Sequence, residues 1–390
     1  MTKFDPISLK ILWDRLVSIS DELVLSLVRT SFSMNVREGY DLSCMVFDSK
    51  ARLLTQGSYS VPSFTGTAPQ TIQHMLKKFP PETLDPGDVI MTNDPWMGTG
   101  HLFDINVMRP VFKGKKLVGY TMSVTHLPDI GGKGMSSDCT EIYHEGLRLP
   151  VCKLQDKGRL NELIVDLIRT NVRVPEQTIG DLMANVACNE VGGRSLLEFM
   201  DEYRLEEIES LADAINLHSE LSMREKIKEI PDGNYKNSIQ IEGPGYPILL
   251  NATVDIRGDK VDIDFSGTDG PVRASINVPF CYTNAQSLYV IKCLTIPGLP
   301  NNEGSMRPIS VRAPDTCILN AQPPWPTGGR HSVGHFVVPL LMGALAPALP
   351  KKVQADAAMM NVFSVQGRHR NGEEISSLFF LAGGLGAMYG

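Results

Sequence analysis

The densest group of side chains that could bind a metal lies between residues 92 and 132. His101 and Asp104 are three residues apart, a spacing that places both side chains on one side of a turn or short helix. His126 ends a predicted strand that returns beside residues 105–112. Two imidazoles and a carboxylate form a ligand set suited to zinc, manganese or iron. The sequence therefore predicts a divalent metal site; the alternative is a turn-capping histidine and a hydrogen-bonded histidine near the core.

A pair of histidines further along the chain is the main competing site. His331 and His335 are four residues apart, which places both rings on one face of a helix. The glycines in the preceding segment 327–330 could open a helix N-terminus that binds an anion. Helical histidines at this spacing can bind metal, but we interpret His331 as a substrate-binding residue beside a pocket.

A reaction at such a site also needs a general base and groups that hold the substrate. Asp94 and Asp129 lie in the same stretch of sequence and are the predicted general bases. The structural alternative is that Asp94 caps a turn before Pro95 and that Asp129 bonds to loop backbone. Asn93 and Arg109 are predicted to bind substrate carbonyl or phosphate groups, with a satisfied surface position as the alternative for Arg109.

The composition excludes several classes of protein. The chain has 390 residues and a net charge of −7, whereas a general nucleic-acid binder needs a basic face. No run of about 18 apolar residues is present, so we expect no membrane span. The seven cysteines are scattered and form no Cys-x-x-Cys pair. This indicates reduced thiols in a cytoplasm and no thiolate zinc cluster of the usual spacing.

Hydrophobic periodicity predicts the elements that position these residues. Residues 6–30 have helical spacing, and residues 41–57 alternate as a β-hairpin. Strands over 105–112 and 116–126 form a second hairpin around Gly114. Further predicted helices cover 67–79, 159–171, 175–192, 194–228, 277–296 and 331–348. The second hairpin is the element expected to bring the metal ligands together.

The order of these elements predicts an α+β (mixed α/β) fold with several domains, in which helices pack on mixed sheets. We expect a metal-site domain over 1–158, a helical segment over 159–230, and a strand-rich then mixed α/β domain over 231–390. A Pro-Asp-Gly turn marks the last boundary. The chain stops after an apolar run and a glycine-rich turn, and natural ends are usually polar and exposed. We therefore expect a further C-terminal region.

Seven blocks of sequence, spread in order over nearly the whole chain, resemble the hydantoinase B family. They are REGYDLSCMVFD (37–48), GDVIMTNDPWMGTGHLFDI (87–105), HLPDIGG (126–132), EGLRLP (145–150), VPEQTIGDLMAN (174–185), IPDGNY (230–235) and IDFSGTDGPVRASIN (263–277). This family includes the B subunits of N-methylhydantoinases and caprolactamase, the matching half of ATP-dependent 5-oxoprolinase, and the alpha subunit of acetone carboxylase. The resemblance implies a hydantoinase B-like fold.

The resemblance also implies four metal ligands. In the family, the metal is held by the His-x-x-Asp pair, the downstream His and an Asp of the N-terminal hairpin, which correspond to His101, Asp104, His126 and Asp41. Many relatives carry a histidine in the block VPSFTGTAP (61–69), where this chain has Phe64. If that histidine contacts substrate or metal in the relatives, we expect a different specificity here.

The function implied by the resemblance is that of a B-type subunit in an ATP-dependent cyclic amide hydrolase, acting on a hydantoin, 5-oxoproline or another lactam. A hydantoinase A-like partner would bind ATP and phosphorylate the substrate, and this chain would open the ring with metal-activated water. No Walker A motif occurs here, which agrees with ATP binding on the partner of a hetero-oligomer. The alternatives are an alpha-type subunit of a ketone carboxylase and a non-catalytic scaffold for the ATP-binding partner.

Overall fold

The helices and strands alternate irregularly along the chain. The computed structural model describes residues 4–358, 360–381 and 383–389. The helices are α1 (Pro6–Thr30), α2 (Met34–Arg37), α3 (Ala68–Lys78), α4 (Glu162–Asn171), α5 (Pro175–Glu202), α6 (Glu209–Ile227), α7 (Phe280–Thr295), α8 (His331–Gly334) and α9 (Val337–Leu345). The strands are β1 (Leu42–Asp48), β2 (Leu53–Gln56), β3 (Val89–Thr92), β4 (Asp104–Lys113), β5 (Lys116–His126), β6 (Cys152–Asp156), β7 (Arg159–Leu160), β8 (Gly233–Ile241), β9 (Ile248–Arg257), β10 (Lys260–Asp264), β11 (Ile309–Arg312), β12 (Asn361–Arg368) and β13 (Glu374–Leu381).

A seven-stranded sheet in the order β2-β1-β5-β4-β3-β6-β7 organises the first half of the chain. All its neighbouring strands are antiparallel, and both predicted hairpins are confirmed. Side chains alternate across a strand. Leu42, Cys44 and Val46 of β1 therefore pack into a core with α1 and α5, whereas Met45 and Phe47 pack into a core with α3. The sheet is thus buried on both faces.

A β-bulge in the β4–β5 hairpin sets which residues face each other at its open end. Near the turn, Phe112 pairs with Leu117, but the register then shifts so that Val111 pairs with Gly119. One extra residue on β5 is the usual form of such a bulge. Because the side-chain period of a strand is two, this shift decides which face each later residue of β5 occupies.

The longest helix, α5, continues through the point where the sequence predicted a break. Predicted helices over 175–192 and 194–228 are instead α5 and α6, separated at residues 203–208. Gly192 and Gly193 lie inside α5 because α1 and the sheet pack closely there. A β-carbon on Gly192 would lie 2.2 Å from Leu23 Cδ1 of α1. The glycines therefore mark a close helix contact and not a helix end.

We expect the Gly192→Ala substitution to lower the free energy of unfolding. Overpacking a well-packed core costs about 1–3 kcal/mol, and the higher helix propensity of alanine offsets about 1 kcal/mol of that. Gly193→Ala is the matched control, because its β-carbon would lie 3.3 Å from Val111 Cγ2, a contact that Val111 can relieve. Urea unfolding of both variants measures the difference; equal stabilities would contradict the packing role of Gly192.

A second sheet, in the order β11-β10-β9-β8, forms a separate core with α7 and α9. Helix α6 joins the two cores, since Leu211 packs into the first and Met223 into the second. The α+β class is thereby confirmed. The predicted boundaries at 158 and 230 stay a prediction, and the outermost ones, 1 and 390, lie outside the described residues. Within the described part of the chain, no helix combines the length and apolarity needed to cross a membrane.

Candidate metal centre

The predicted ligands meet at the open end of the β4–β5 hairpin. Asp104, the first residue of β4, pairs across the strands with His126, the last residue of β5. His101 lies in the turn before β4. One ligand atom from each of the three residues lies within 4.8 Å of the others. Their exposed fractions are 3% or less, so the cluster is shielded from solvent.

The hydrogen bonds of the two histidines leave one ring nitrogen of each free. His101 Nδ1 donates to the Gly328 carbonyl at 3.1 Å, and His126 Nδ1 donates to the Leu127 carbonyl at 3.0 Å. A carbonyl can only accept, so both of these bonds require a proton on Nδ1. His126 Nδ1 also lies 3.3 Å from Asn35 Nδ2, a longer contact than its bond to the carbonyl. Both Nε2 atoms are buried without a hydrogen-bond partner. This is the arrangement of metal-binding histidines, whose second nitrogen donates to a carbonyl or carboxylate.

Asp104 has one carboxylate oxygen engaged and the other directed at the histidines. Its Oδ2 accepts from Thr99 Oγ1 at 2.5 Å and from Arg330 Nη2 at 2.8 Å. Its Oδ1 lies 2.9 Å from His101 Nε2. Burial opposes ionisation of Asp104, but the neighbouring His101 ring and the positive charge of Arg330 outweigh it and hold the pKa of the carboxyl below its usual range. The residues present therefore fit a divalent metal bound to two imidazoles and one carboxylate oxygen.

Asp41 lies immediately before β1 and lines the same cavity. Its backbone carbonyl accepts from His126 N at 3.2 Å, which ties the two segments together. Burial and the nearby charge of Asp104 raise the pKa of the Asp41 carboxyl to about 7. Its carboxylate is not among the ligand atoms that lie within 4.8 Å of one another. Its part as a fourth ligand stays a prediction.

The cavity above these ligands has a volume of about 330 Å³ and is closed by residues from the second half of the chain. His331 and His335 line it, with ring centroids 5.9 Å apart. Burial, the neighbouring His335 and Arg330 lower the pKa of His331 to about 3, and burial and Arg330 lower that of His335 to about 4. His331 thus lines the same cavity as the candidate ligands, and its substrate-binding role stays a prediction. Phe64 also lines the cavity.

Arg330 is the site residue that the sequence did not single out. Its side chain is 6% exposed, pairs with Asp104, and donates from Nε to the Thr99 carbonyl at 2.7 Å. Its guanidinium lies 4.3 Å from the centre of the Tyr282 ring. The only signal was its place between two glycines and His331, and nothing in that pattern indicates a partner more than 200 residues away.

The two predicted general bases are not among the residues that line this cavity. Asp94 pairs with Arg148 at 2.6 Å and caps the turn at Trp96 N. Asp129 pairs with Arg173 at 2.8 Å and lies against a different, much smaller pocket. Both carboxylates are held by an arginine and by backbone groups. This matches the alternative interpretation of the sequence, in which Asp94 caps a turn and Asp129 bonds to loop backbone. The structure therefore places neither carboxylate at this cavity, and their part as general bases stays a prediction.

The predicted substrate ligands Asn93 and Arg109 also lie elsewhere. Asn93 Nδ2 donates to the carbonyls of Leu102 and Leu147, so it braces the loop that carries His101. Arg109 is five residues beyond Asp104 on β4. An odd separation turns its side chain to the opposite face of the sheet, where it lies 3.9 Å from Glu190 of α5.

A buried acid, Glu145, holds the loop that orients His101. Its Oε1 accepts from Gly328 N at 2.8 Å and from Ser275 Oγ, while its Oε2 is buried without a partner. The Gly328 carbonyl is the acceptor of His101 Nδ1. Burial outweighs these hydrogen bonds and raises the pKa of Glu145 to about 7. Glu145 therefore positions a candidate metal ligand through one intervening residue.

We expect the Glu145→Gln substitution to remove a pH dependence of stability. Between the unfolded pKa of 4.5 and the folded pKa of about 7, the folded state holds a proton that the unfolded state has lost. Stability therefore falls as pH rises through this window, by on the order of 3 kcal/mol in total. Glutamine does not titrate, so the stability of the variant relative to the unsubstituted chain should rise between pH 5 and pH 8.

Urea unfolding at several pH values between those limits measures this difference. Glu162→Gln, at an exposed position in the first turn of α4, is the control and should follow the pH profile of the unsubstituted chain. Parallel pH profiles for Glu145→Gln and the unsubstituted chain would show that Glu145 is ionised across the range, against this prediction.

Fold and site together define a protein with a candidate metal centre between an antiparallel sheet and a second α/β region. The model of the Hydantoinase B/oxoprolinase family matches residues 5–390, and the chain belongs to this family. It is 30% identical over 410 residues to a protein provisionally named as the B subunit of a D-/L-hydantoinase from Pseudomonas sp. strain NS671. That alignment covers 100% of this chain and 69% of the relative.

Two solved structures share the fold. The crystal structure of ATP-dependent caprolactamase from Pseudomonas jessenii matches with a TM-score of 0.85 at 28% identity, over 96% of this chain and 66% of that one. A nucleotide-free structure of acetone carboxylase matches with a TM-score of 0.88 at 18% identity, over 96% of this chain and 53% of that one. The latter likeness shows the fold alone. The chain spans about two thirds of the caprolactamase chain.

Proposed function

We propose that this chain is the B-type subunit of an ATP-dependent cyclic amide hydrolase. The observation that carries the proposal is the pair of buried, unpartnered Nε2 atoms of His101 and His126 beside Asp104. Family membership and the likeness to a caprolactamase support the substrate class. The overall reaction converts a cyclic amide, ATP and two waters into the ring-opened amino acid, ADP and phosphate.

His101, Asp104, His126 and Asp41 would hold a divalent metal, with zinc, manganese and iron as candidates. When bound, such a metal supplies Lewis acidity that makes water a competent nucleophile at neutral pH. Arg330 fixes Asp104 Oδ2, so that Oδ1 stays directed at the histidines. His331 and His335 stay uncharged at neutral pH because of their lowered pKa values, and they can accept hydrogen bonds from the substrate or from water.

The phosphoryl group would come from a hydantoinase A-like partner in a hetero-oligomer. The name of the hydantoinase relative, which designates one of several subunits, supports such an assembly. This chain lacks a Walker A sequence, which agrees with ATP binding on the partner. All seven cysteines are free thiols, as expected for the reducing cytoplasm in which we place the complex.

Co-expression with an A-type partner tests the proposal. We expect ATP-dependent ring opening of at least one cyclic amide, measured as the amino-acid product and ADP together, and no turnover by either protein alone. Acetone with bicarbonate is the parallel assay for the carboxylase alternative. Carboxylation of acetone without ring opening would replace the proposal by the carboxylase alternative. If the partner alone kept whichever activity the complex shows, both hypotheses would be contradicted.

A further inference from the structure

The side chains that line the cavity carry almost no positive charge that a substrate could use. Among the lining residues that the structure describes, Arg330 is the only lysine or arginine. Its Nη2 is bonded to Asp104, its Nε is bonded to the Thr99 carbonyl, and its guanidinium stacks on Tyr282. Its charge is thus matched within the protein.

The remaining polar groups around the cavity do not supply a cation either. His331 and His335 are uncharged at neutral pH, since burial lowers the pKa of both. The acidic groups that face the cavity are Asp104, which already pairs with Arg330, and Asp41, and neither can pair with an anion. A negatively charged ring substituent that does not reach the metal would therefore have to give up its hydration without an ion pair in return.

One wall of the cavity is apolar. The β12–β13 hairpin contributes Val362 and Phe380, which are paired across its strands, and the Phe380 ring lies 6.4 Å from the His126 ring. Phe64 and Met135 extend this surface. At about 330 Å³, the cavity is near the lower end of ligand-pocket volumes, about 300–1,000 Å³. A small ring with an uncharged hydrocarbon edge fits this wall.

We infer that the substrate is a small cyclic amide without a carboxylate on its ring, such as a simple lactam or an unsubstituted hydantoin, and not 5-oxoproline. This inference rests on the proposed function and narrows its substrate class. The apolar wall packs against the ring carbons, and the side of the cavity that holds the histidines faces the amide group. With the amide group bound on the histidine side, a ring carboxylate would lie against Phe380 and Val362.

A matched pair of substrates tests the inference, because 5-oxoproline is 2-pyrrolidinone with one added carboxylate. With the co-expressed complex and ATP, we expect kcat/KM for 2-pyrrolidinone to exceed that for 5-oxoproline by at least about tenfold. In the absence of ATP, ligand-detected NMR saturation transfer from the metal-loaded chain should be observed for 2-pyrrolidinone and be weaker for 5-oxoproline. Equal or better turnover and binding of 5-oxoproline would overturn the inference.

A charge introduced into the wall supplies a second measurement. We expect Val362→Lys to shift the ratio of the two kcat/KM values towards 5-oxoproline by about tenfold, because the ammonium group supplies the missing partner. Val362→Met, of similar length but uncharged, is the control and should leave the ratio unchanged. If a folded, active Val362→Lys variant shows an unchanged ratio of the two kcat/KM values, the result counts against the inference. If that variant does not fold, the ratio measured for the unsubstituted complex decides the question.

Failure of the inference and failure of the proposed function give different results. A complex that opens 5-oxoproline as well as 2-pyrrolidinone retains the cyclic amide hydrolase function and loses only the substrate assignment. A complex that opens no cyclic amide with ATP loses the proposed function, and the inference with it.

Discussion

We expect a His101→Ala variant to lose its bound metal and at least about 100-fold of its ATP-dependent turnover. Substitution of a group that only orients a metal ligand typically costs about 10–100-fold in affinity or activity, and loss of the ligand itself should cost more. The His101 ring contributes one of two unpartnered Nε2 atoms, so its removal leaves His126 and Asp104 on opposite strands of one hairpin. Elemental analysis of the purified chain and turnover by the co-expressed complex measure both effects.

His74→Ala is the matched control for this variant. His74 lies on α3, away from the residues that line the cavity, and its loss should leave metal content unchanged. A near-native far-ultraviolet circular dichroism spectrum of His101→Ala separates loss of the site from loss of the fold. Full metal content and full activity in a folded His101→Ala variant would rule out the proposed metal centre.

The second large effect is expected from Arg330→Met. The Arg330–Asp104 pair is almost completely buried, with side-chain exposures of 6% and 1%. Removing one partner of a buried ion pair leaves an uncompensated charge and costs about 3–5 kcal/mol. We therefore expect the free energy of unfolding, measured with urea in the presence of a chelator, to fall by that amount. Added Mn²⁺ or Zn²⁺ should restore part of the loss, because a cation at Oδ1 again compensates Asp104.

Arg109→Met provides the comparison on the same sheet. Arg109 is 3.9 Å from an exposed glutamate, Glu190, and pairs of this kind contribute about 0–1 kcal/mol. Its substitution should change stability by no more than that and leave turnover intact, since it faces away from the cavity. Equal effects of the two arginine substitutions would show that the Asp104 pair has no special part in holding the site.

Local patterns were enough to predict most of the elements around the site. The strand-like runs on either side of the turns at residues 48–50 and at Gly114 predicted hairpins that the structure confirms, because turn residues between two such runs are a local signal even where the sheet is buried on both faces. The helix break predicted after residue 192 was wrong, since two glycines can serve either as a helix end or as a close contact with a neighbouring helix. The pattern within one element cannot distinguish these two uses.

The sequence by itself determined the residue types and the short-range spacing of the candidate ligands, and so the kind of ion they could hold. Their meeting depends on the bulge at Val111 and Gly119: in an unshifted hairpin Asp104 would face Thr125, and His126 would point to the opposite side of the sheet. Arg330, Glu145 and the cavity wall come together only when the second core packs on the first. Tertiary packing decided these features because contacts between distant segments leave no periodic signal in the sequence.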